Sequence, residues 1–254
     1  MEQLYVFGTG NAAVIHYYNT CFAIRNEDRF FMVDAGGGNG ILQILDKMNV
    51  QYSQIHDLFV THEHTDHLLG VVWMVRFIAT RMLNGTYDGD LNIYCHDQLT
   101  STIDTFCRLT LQGKFYRLIG DRIHLIPVHD GETLSIMDYE VTFFDIHSTK
   151  ARQFGFTTTL KNGKKLTCVG DEPYNPICAP YVEGSDWLLH EAFCLYSERE
   201  RFKPYEKHHS TVKEACQLAE ELQIPHLILY HTEEMHLKER KELYTREGRE
   251  YYHG

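Results

Sequence analysis

Positive charge is in deficit in this sequence: 24 Lys and Arg stand against 35 Asp and Glu in 254 residues, a formal net charge of −11 with the histidines neutral. Proteins that hold nucleic acid through many phosphate contacts draw that affinity from Lys and Arg, so the balance disfavours a large polyanion as main partner. Long apolar runs are also missing. The longest, near residues 68–74, falls far short of the roughly 20 residues that cross a bilayer, and no membrane association is expected. Met1-Glu2-Gln3-Leu4 has neither the positive start nor the apolar centre of a secretory leader, so a cytoplasmic location is expected. The seven cysteines (Cys21, Cys95, Cys107, Cys168, Cys178, Cys194, Cys216) are odd in number, scattered and never spaced C-x-x-C. They are expected as reduced, packed thiols, which excludes a disulfide framework and a thiolate zinc site. Proline is scarce, with 6 residues, and no Pro/Gly/Ser linker divides the chain. A single domain over residues 1–254 is expected.

The apolar residues that are present alternate between two periodicities. Short runs rich in aromatic and β-branched residues, among them Leu4–Phe7, Thr20–Ile24, Phe30–Val33, Leu58–Thr61, Val141–Phe144, Phe154–Leu160, Leu166–Val169, Trp187–Leu189 and Leu227–Tyr230, read as strands. Helical spacing is best over residues 66–82, 98–112 and 211–222, with a further stretch at 234–246. Ser210 or Thr211 would cap the third of these. The early part is strands in hairpin-like succession and the end alternates strand with helix, which favours a layered α+β or α/β sheet protein.

Histidine is abundant, with 16 residues, and the segment Val60-Thr61-His62-Glu63-His64-Thr65-Asp66-His67 concentrates it. It follows a strand and precedes an apolar helix. His62 and His64, two apart, share one side of an extended backbone, and Asp66 and His67 open the helix. Imidazole and carboxylate are ligands of Zn²⁺, Mn²⁺ and Fe²⁺, and a catalytic ion needs about three protein ligands with one position open. Four candidate ligands in one loop exceed one site and suggest two ions.

Thr-His-x-His-x-Asp-His after a buried strand resembles the signature of the metallo-β-lactamase superfamily of hydrolases. Asp34 in Val33-Asp34-Ala35-Gly36 is similar to the aspartate that braces the ligand loop there, and Gly8-Thr9-Gly10 resembles the opening of the ribonuclease Z branch. His147, Asp171 and His231 fall where the remaining ligands of the superfamily lie. Leu189-His190-Glu191-Ala192-Phe193 and His208-His209-Ser210-Thr211 resemble two further segments of that branch. The resemblance runs from about residue 4 to 235.

It implies an α+β protein, an αββα four-layer sandwich, holding two divalent ions, Zn²⁺ foremost with Mn²⁺ and Fe²⁺ also compatible. His62, His64 and His147 would bind one ion, Asp66, His67 and His231 the other, and Asp171 would bridge them. Asp66 would also orient the nucleophile, His209 would protonate the leaving group, and Glu191 would hold the His209 imidazole. The expected activity is a phosphodiesterase working by attack of metal-bound hydroxide on a small phosphodiester or nucleotide-like substrate. Alternatives are a tRNA 3′-end endonuclease of the ribonuclease Z type, acting on RNA, a lactonase, thioesterase or lactamase, and an inactive metal-bound sensor or scaffold. The branch is often dimeric, so a homodimer is a further expectation.

The pattern departs from ribonuclease Z at three places. Only residues 148–170 separate His147 from Asp171, too few for a tRNA-gripping arm, and Lys161-Asn162-Gly163-Lys164 there reads as a tight hairpin turn. Glu172 stands where a small hydroxyl residue is usual and His208 where glycine is, and an added carboxylate beside the ions would repel a phosphate. Gly36-Gly37-Gly38 either accepts a phosphate at a helix start or lets the backbone pass close to the ligand loop. His16-Tyr17-Tyr18 is expected on the substrate side, and His56, His96, His124 and His129 as structural or surface residues.

Overall fold

The computed structural model describes residues 2–254, which divide into two compact units. The first comprises residues 2–8, 18–129 and 136–138, and the second residues 9–17, 130–135 and 139–254. Among the described residues no helix is long and apolar enough to cross a membrane.

The first unit is built on a six-stranded sheet in sequence order. Strands β1 (Gln3–Gly8), β2 (Cys21–Asn26) and β3 (Arg29–Val33) run as antiparallel hairpins. From β3 onward the pairing is parallel, through β4 (Ile55–Phe59), β5 (Leu91–His96) and β6 (Ile123–Val128). Parallel neighbours require crossovers, supplied here by α1 (Gly40–Lys47), α2 (Thr65–Leu83) and α3 (Asp97–Thr110), with the short α4 (Gly113–Tyr116) before β6. α2 buries Leu68, Val71, Met74, Val75, Ile78, Ala79 and Met82 at helical spacing, and such burial stabilises by about 1.5–3 kcal/mol per large side chain. Gly70 lies on that face for a steric reason. A Cβ there would sit 1.8 Å from the carbonyl oxygen of Ala35, whereas the glycine lets its amide donate to Gly36 O at 2.8 Å.

The second sheet has the order β12-β11-β10-β9-β8-β7: β7 (Thr133–Ile136), β8 (Tyr139–Asp145), β9 (Phe154–Thr159), β10 (Lys165–Cys168), β11 (Trp187–Glu191) and β12 (His226–Tyr230). β8 and β10 both run antiparallel to β9, and β11 and β12 run parallel to β10. β8, β10, β11 and β12 therefore point the same way, and their carboxyl ends share one edge. The helices are α5 (Ala179–Val182), α6 (Arg199–Phe202), α7 (Val212–Glu221) and α8 (Arg240–Gly248). Thr211 caps α7 in a capping box with Glu214, satisfying helix-start amides that have no partner within the helix. Asn162-Gly163 forms the expected turn, with Gly163 at φ 80° and its amide donating to Leu160 O.

β6 and β7 have no counterpart in the pattern of expected strands. Pro127 interrupts the apolar run of β6, which is tolerated because β6 closes the sheet and an edge strand has amides without ladder partners. α8 starts at Arg240 rather than 234, because residues 232–237 are drawn into turns around Glu233 and Glu234. All seven cysteines are free and buried, and burial pushes the Cys107, Cys194 and Cys216 thiols up to about 12.

Candidate metal centre

In the first unit the ligand loop leaves the carboxyl end of β4, in the parallel part of the sheet where such ends converge on ligands. Asp34, at the end of β3, organises it. Asp34 sits in the left-handed region at φ 54°, and its amide donates to Phe59 O at 2.8 Å. Its Oδ1 accepts the Thr61 amide at 2.8 Å and its Oδ2 accepts the Thr61 hydroxyl at 2.8 Å. His67 Nδ1 approaches the same Oδ2 at 2.7 Å.

These bonds fix two imidazole tautomers. A carboxylate only accepts, so His67 carries its proton on Nδ1 and presents Nε2 as a lone pair. The Thr61 hydroxyl spends its proton on Asp34 and can only accept from His62 Nδ1, 2.9 Å away, so His62 likewise presents Nε2 as a lone pair. His62 Nε2 lies 2.8 Å from His64 Nδ1, and His67 Nε2 lies 3.3 Å from Asp66 Oδ2. The His62 ring centroid is 4.4 Å from that of His64 and 4.2 Å from that of His67. Lone pairs crowded together in a buried loop, each oriented from behind by a carboxylate or hydroxyl, are the donor set a divalent ion accepts, and the residues fit that group. A Cβ on Gly37 would meet Asn19 Oδ1 at 2.6 Å and Asp66 Cα at 3.5 Å, so the glycine run lets the backbone pass close to the ligand loop.

In the second unit the aligned strand ends carry the other residues: His147 after β8, Asp171 after β10, Glu191 at the end of β11 and His231 after β12. His147 and His231 adopt left-handed φ values of 58° and 56°. Asp171 accepts the Gln153 side-chain amide and donates its own N–H to Gln153 Oε1 at 3.0 Å. His231 Nε2 lies 3.4 Å from Asp171 Oδ2. His209, only 7% exposed, stacks on Phe193 with ring centroids 5.1 Å apart and lies 5.1 Å from His231. Ligand atoms of Glu191, His209 and His231 fall within 4.8 Å of one another. Glu191, fully buried, accepts the Ser210 hydroxyl on its Oε1 at 2.7 Å. Its Oε2 lies 3.5 Å from His209 Nδ1, longer than an ordinary N–H···O bond.

Glu172 departs from its expected role. Its carboxylate, 6% exposed, accepts the Ser148 hydroxyl at 2.8 Å and the Thr149 amide at 3.1 Å, with Lys150 Nζ at 3.7 Å. That charge is committed to the loop after His147. On the other side of the histidine, Asp145 accepts the His147 amide at 2.8 Å. Gln153 and Glu172 together lock the 145–153 loop to Asp171, and sequence reasoning misses Gln153 because nothing in its local context marks it. His208, at φ 53°, lines a cavity of about 340 Å³ with His147, Glu172, Tyr174, Tyr205 and His209. Tyr17 and Tyr18 have structural bonds instead of an open aromatic face: Tyr17 donates to Leu237 O at 2.5 Å, and the Tyr18 hydroxyl lies 2.9 and 2.7 Å from the carbonyls of Ala35 and Gly38. His56 bridges Asp90 O and Ser53 O, His124 pairs with Asp90, and His96 accepts the Leu99 amide at the start of α3.

The fold is that of the metallo-β-lactamase superfamily. The metallo-β-lactamase fold protein YhfI from Bacillus subtilis superposes with a TM-score of 0.77 at 17% identity, covering 99% of this chain and 93% of that one. The short form of human tRNase Z gives 0.73 at 21% identity, covering 92% and 93%. Within the superfamily, residues 2–248 match the family described as anti-Pycsar protein Apyc1, and the chain belongs to that family. It is also similar to ribonuclease Z of Phocaeicola vulgatus, 25% identical over 278 residues that cover 90% of this chain and 86% of the relative. The chain is a ribonuclease Z-like, metal-dependent hydrolase.

Proposed function

We propose that this hydrolase is a phosphodiesterase for small substrates. His62, His64 and His147 would hold one divalent ion, Asp66, His67 and His231 a second, with Asp171 shared and Zn²⁺ as the leading candidate. The observation that carries the reading is the Asp34-set pair of tautomers, which presents His62 Nε2 and His67 Nε2 as lone pairs in one buried loop. Divalent ions held there would supply a water of lowered pKa and offset the charge of the phosphate. Asp66 orients the attacking water. His209, steadied by the stacked Phe193 ring with the Glu191 carboxylate nearby, donates the proton that the departing oxygen needs.

Two observations favour a small phosphodiester over a folded RNA. The cavity beside His147 and His209 is about 340 Å³, at the lower end of small-ligand sites. The interval between His147 and Asp171 is filled by the β9–β10 hairpin. The relative named ribonuclease Z keeps precursor tRNA as the second reading. The test is a panel with the Zn²⁺-loaded protein: bis-p-nitrophenyl phosphate, a lactone, a thioester and a precursor tRNA. Hydrolysis of the phosphodiester alone is expected. Cleavage of the tRNA at one defined position would favour the second reading, and turnover of only the lactone or thioester would contradict both.

A further inference from the structure

A side-chain cluster in the second unit, outside the residues assigned above, has the chemistry of a cation site. Glu198, Glu233 and His236 each bring a ligand atom within 4.8 Å of the other two. His236 Nε2 lies 2.9 Å from Glu198 Oε2. Glu198 ends a 3-10 turn, Tyr196–Glu198, which is itself anchored: the Tyr196 and Ser197 amides donate to Glu247 at 2.7 and 3.2 Å. Glu233 and His236 belong to the segment that leaves His231.

Glu233 is the member that points to a ligand. It is 4% exposed; its Oε2 accepts the Met235 amide, and its Oε1 is buried with no hydrogen-bond partner. A buried carboxylate oxygen left without a partner loses its hydration with nothing in exchange. Arg240 does not relieve it by hydrogen bonding, because its guanidinium donates to the hydroxyls of Thr232 and Thr9 and stacks 4.0 Å over the Tyr17 ring.

We propose that Glu198, Glu233 and His236 form an additional divalent-cation site of structural role, taking Zn²⁺ or Mn²⁺. Two carboxylates and one imidazole are a donor set these ions accept, with coordination completed by water. A cation there satisfies Glu233 Oε1 and ties the 232–236 segment to the 196–198 turn. Glu234 in the same segment already accepts the amides of Ile15, His16 and Tyr17 at 2.8, 2.7 and 3.1 Å, so the segment joins three parts of the unit. The inference goes beyond the phosphodiesterase reading and does not depend on it.

The test uses Zn²⁺ alone, titrated calorimetrically into the full chain. In a His64→Ala/Asp171→Ala background, one equivalent should still bind and raise the melting temperature. Adding His236→Ala should weaken that binding at least tenfold. Since the triple variant could misfold, Glu198→Gln in the otherwise native chain gives a second measure and should lower saturating Zn²⁺ by one equivalent. Unchanged Zn²⁺ stoichiometry and affinity on replacing His236 or Glu198 would overturn the proposal. Failure of the phosphodiesterase reading would instead show as unchanged Zn²⁺ binding on replacing His64 and Asp171.

Discussion

His67 Nδ1 and Asp34 Oδ2 stand 2.7 Å apart, both side chains almost wholly buried, and this contact decides which nitrogen of His67 is left as a lone pair. Asp34→Asn replaces an obligate acceptor by an amide that can present a donor to the same proton. Second-sphere losses of this kind weaken metal binding by roughly 10–100-fold. The expected outcome is faster loss of Zn²⁺ to a competing chelator with near-native circular dichroism. Retention equal to wild type would show that Asp34 does not set the tautomer.

Glu172 clamps the loop after His147 through Ser148 and Thr149. In Glu172→Gln only one oxygen remains to accept, and hydrogen bonds to charged groups are worth about 1.5–3 kcal/mol. Amide hydrogen exchange at Thr149 and Lys150 should accelerate, and weaker Zn²⁺ binding should accompany it. Protection unchanged from wild type would mean the loop is held by other contacts.

Gly70→Ala drives a Cβ into the Ala35 carbonyl, 1.8 Å away. One of the two backbones must move, and the expected destabilisation is about 3 kcal/mol or more, read as a lower urea midpoint. A midpoint within error of wild type would show that α2 can shift freely.

His190 predicts a pH dependence. Its Nδ1 donates to Glu191 O at 2.6 Å and its Nε2 accepts the Tyr174 amide at 3.3 Å, and burial holds its pKa below the usual 6.5. Below about pH 6.5 the unfolded chain takes up a proton that the native chain refuses. The stability contributed by the neutral ring is therefore full above 6.5 and declines as pH falls toward the depressed native pKa, by at most about 1.4 kcal/mol per pH unit. His190→Asn keeps a donor at the δ position and removes the titration. Urea unfolding between pH 7.5 and 5 should show a shallower decline for the variant, whereas parallel declines would exclude His190 as a source.

The strands that carry the candidate ligands are legible in the sequence because each is an apolar run that ends abruptly in His, Asp or Glu: Phe59 before the histidine loop, Cys168 before Asp171, Tyr230 before His231. The second layer is less so. Thr61 gives no sign that its hydroxyl relays Asp34 to His62, Gln153 no sign that it grips Asp171, and Glu172, read by itself, suggests repulsion instead of a loop clamp. These roles arise from contacts between residues 18–27 positions apart, which periodicity cannot register. β6 is hidden by Pro127, acceptable only because the strand lies at an edge.

Asp171 is the carboxylate proposed to be shared by two ions, and the rate of bis-p-nitrophenyl phosphate hydrolysis by Asp171→Ala at saturating Zn²⁺ tests that proposal most directly. Wild type should turn the ester over, and the variant, folded by circular dichroism, should show no rate above the Zn²⁺ blank. Hydrolysis by the variant at the wild-type rate would contradict the account.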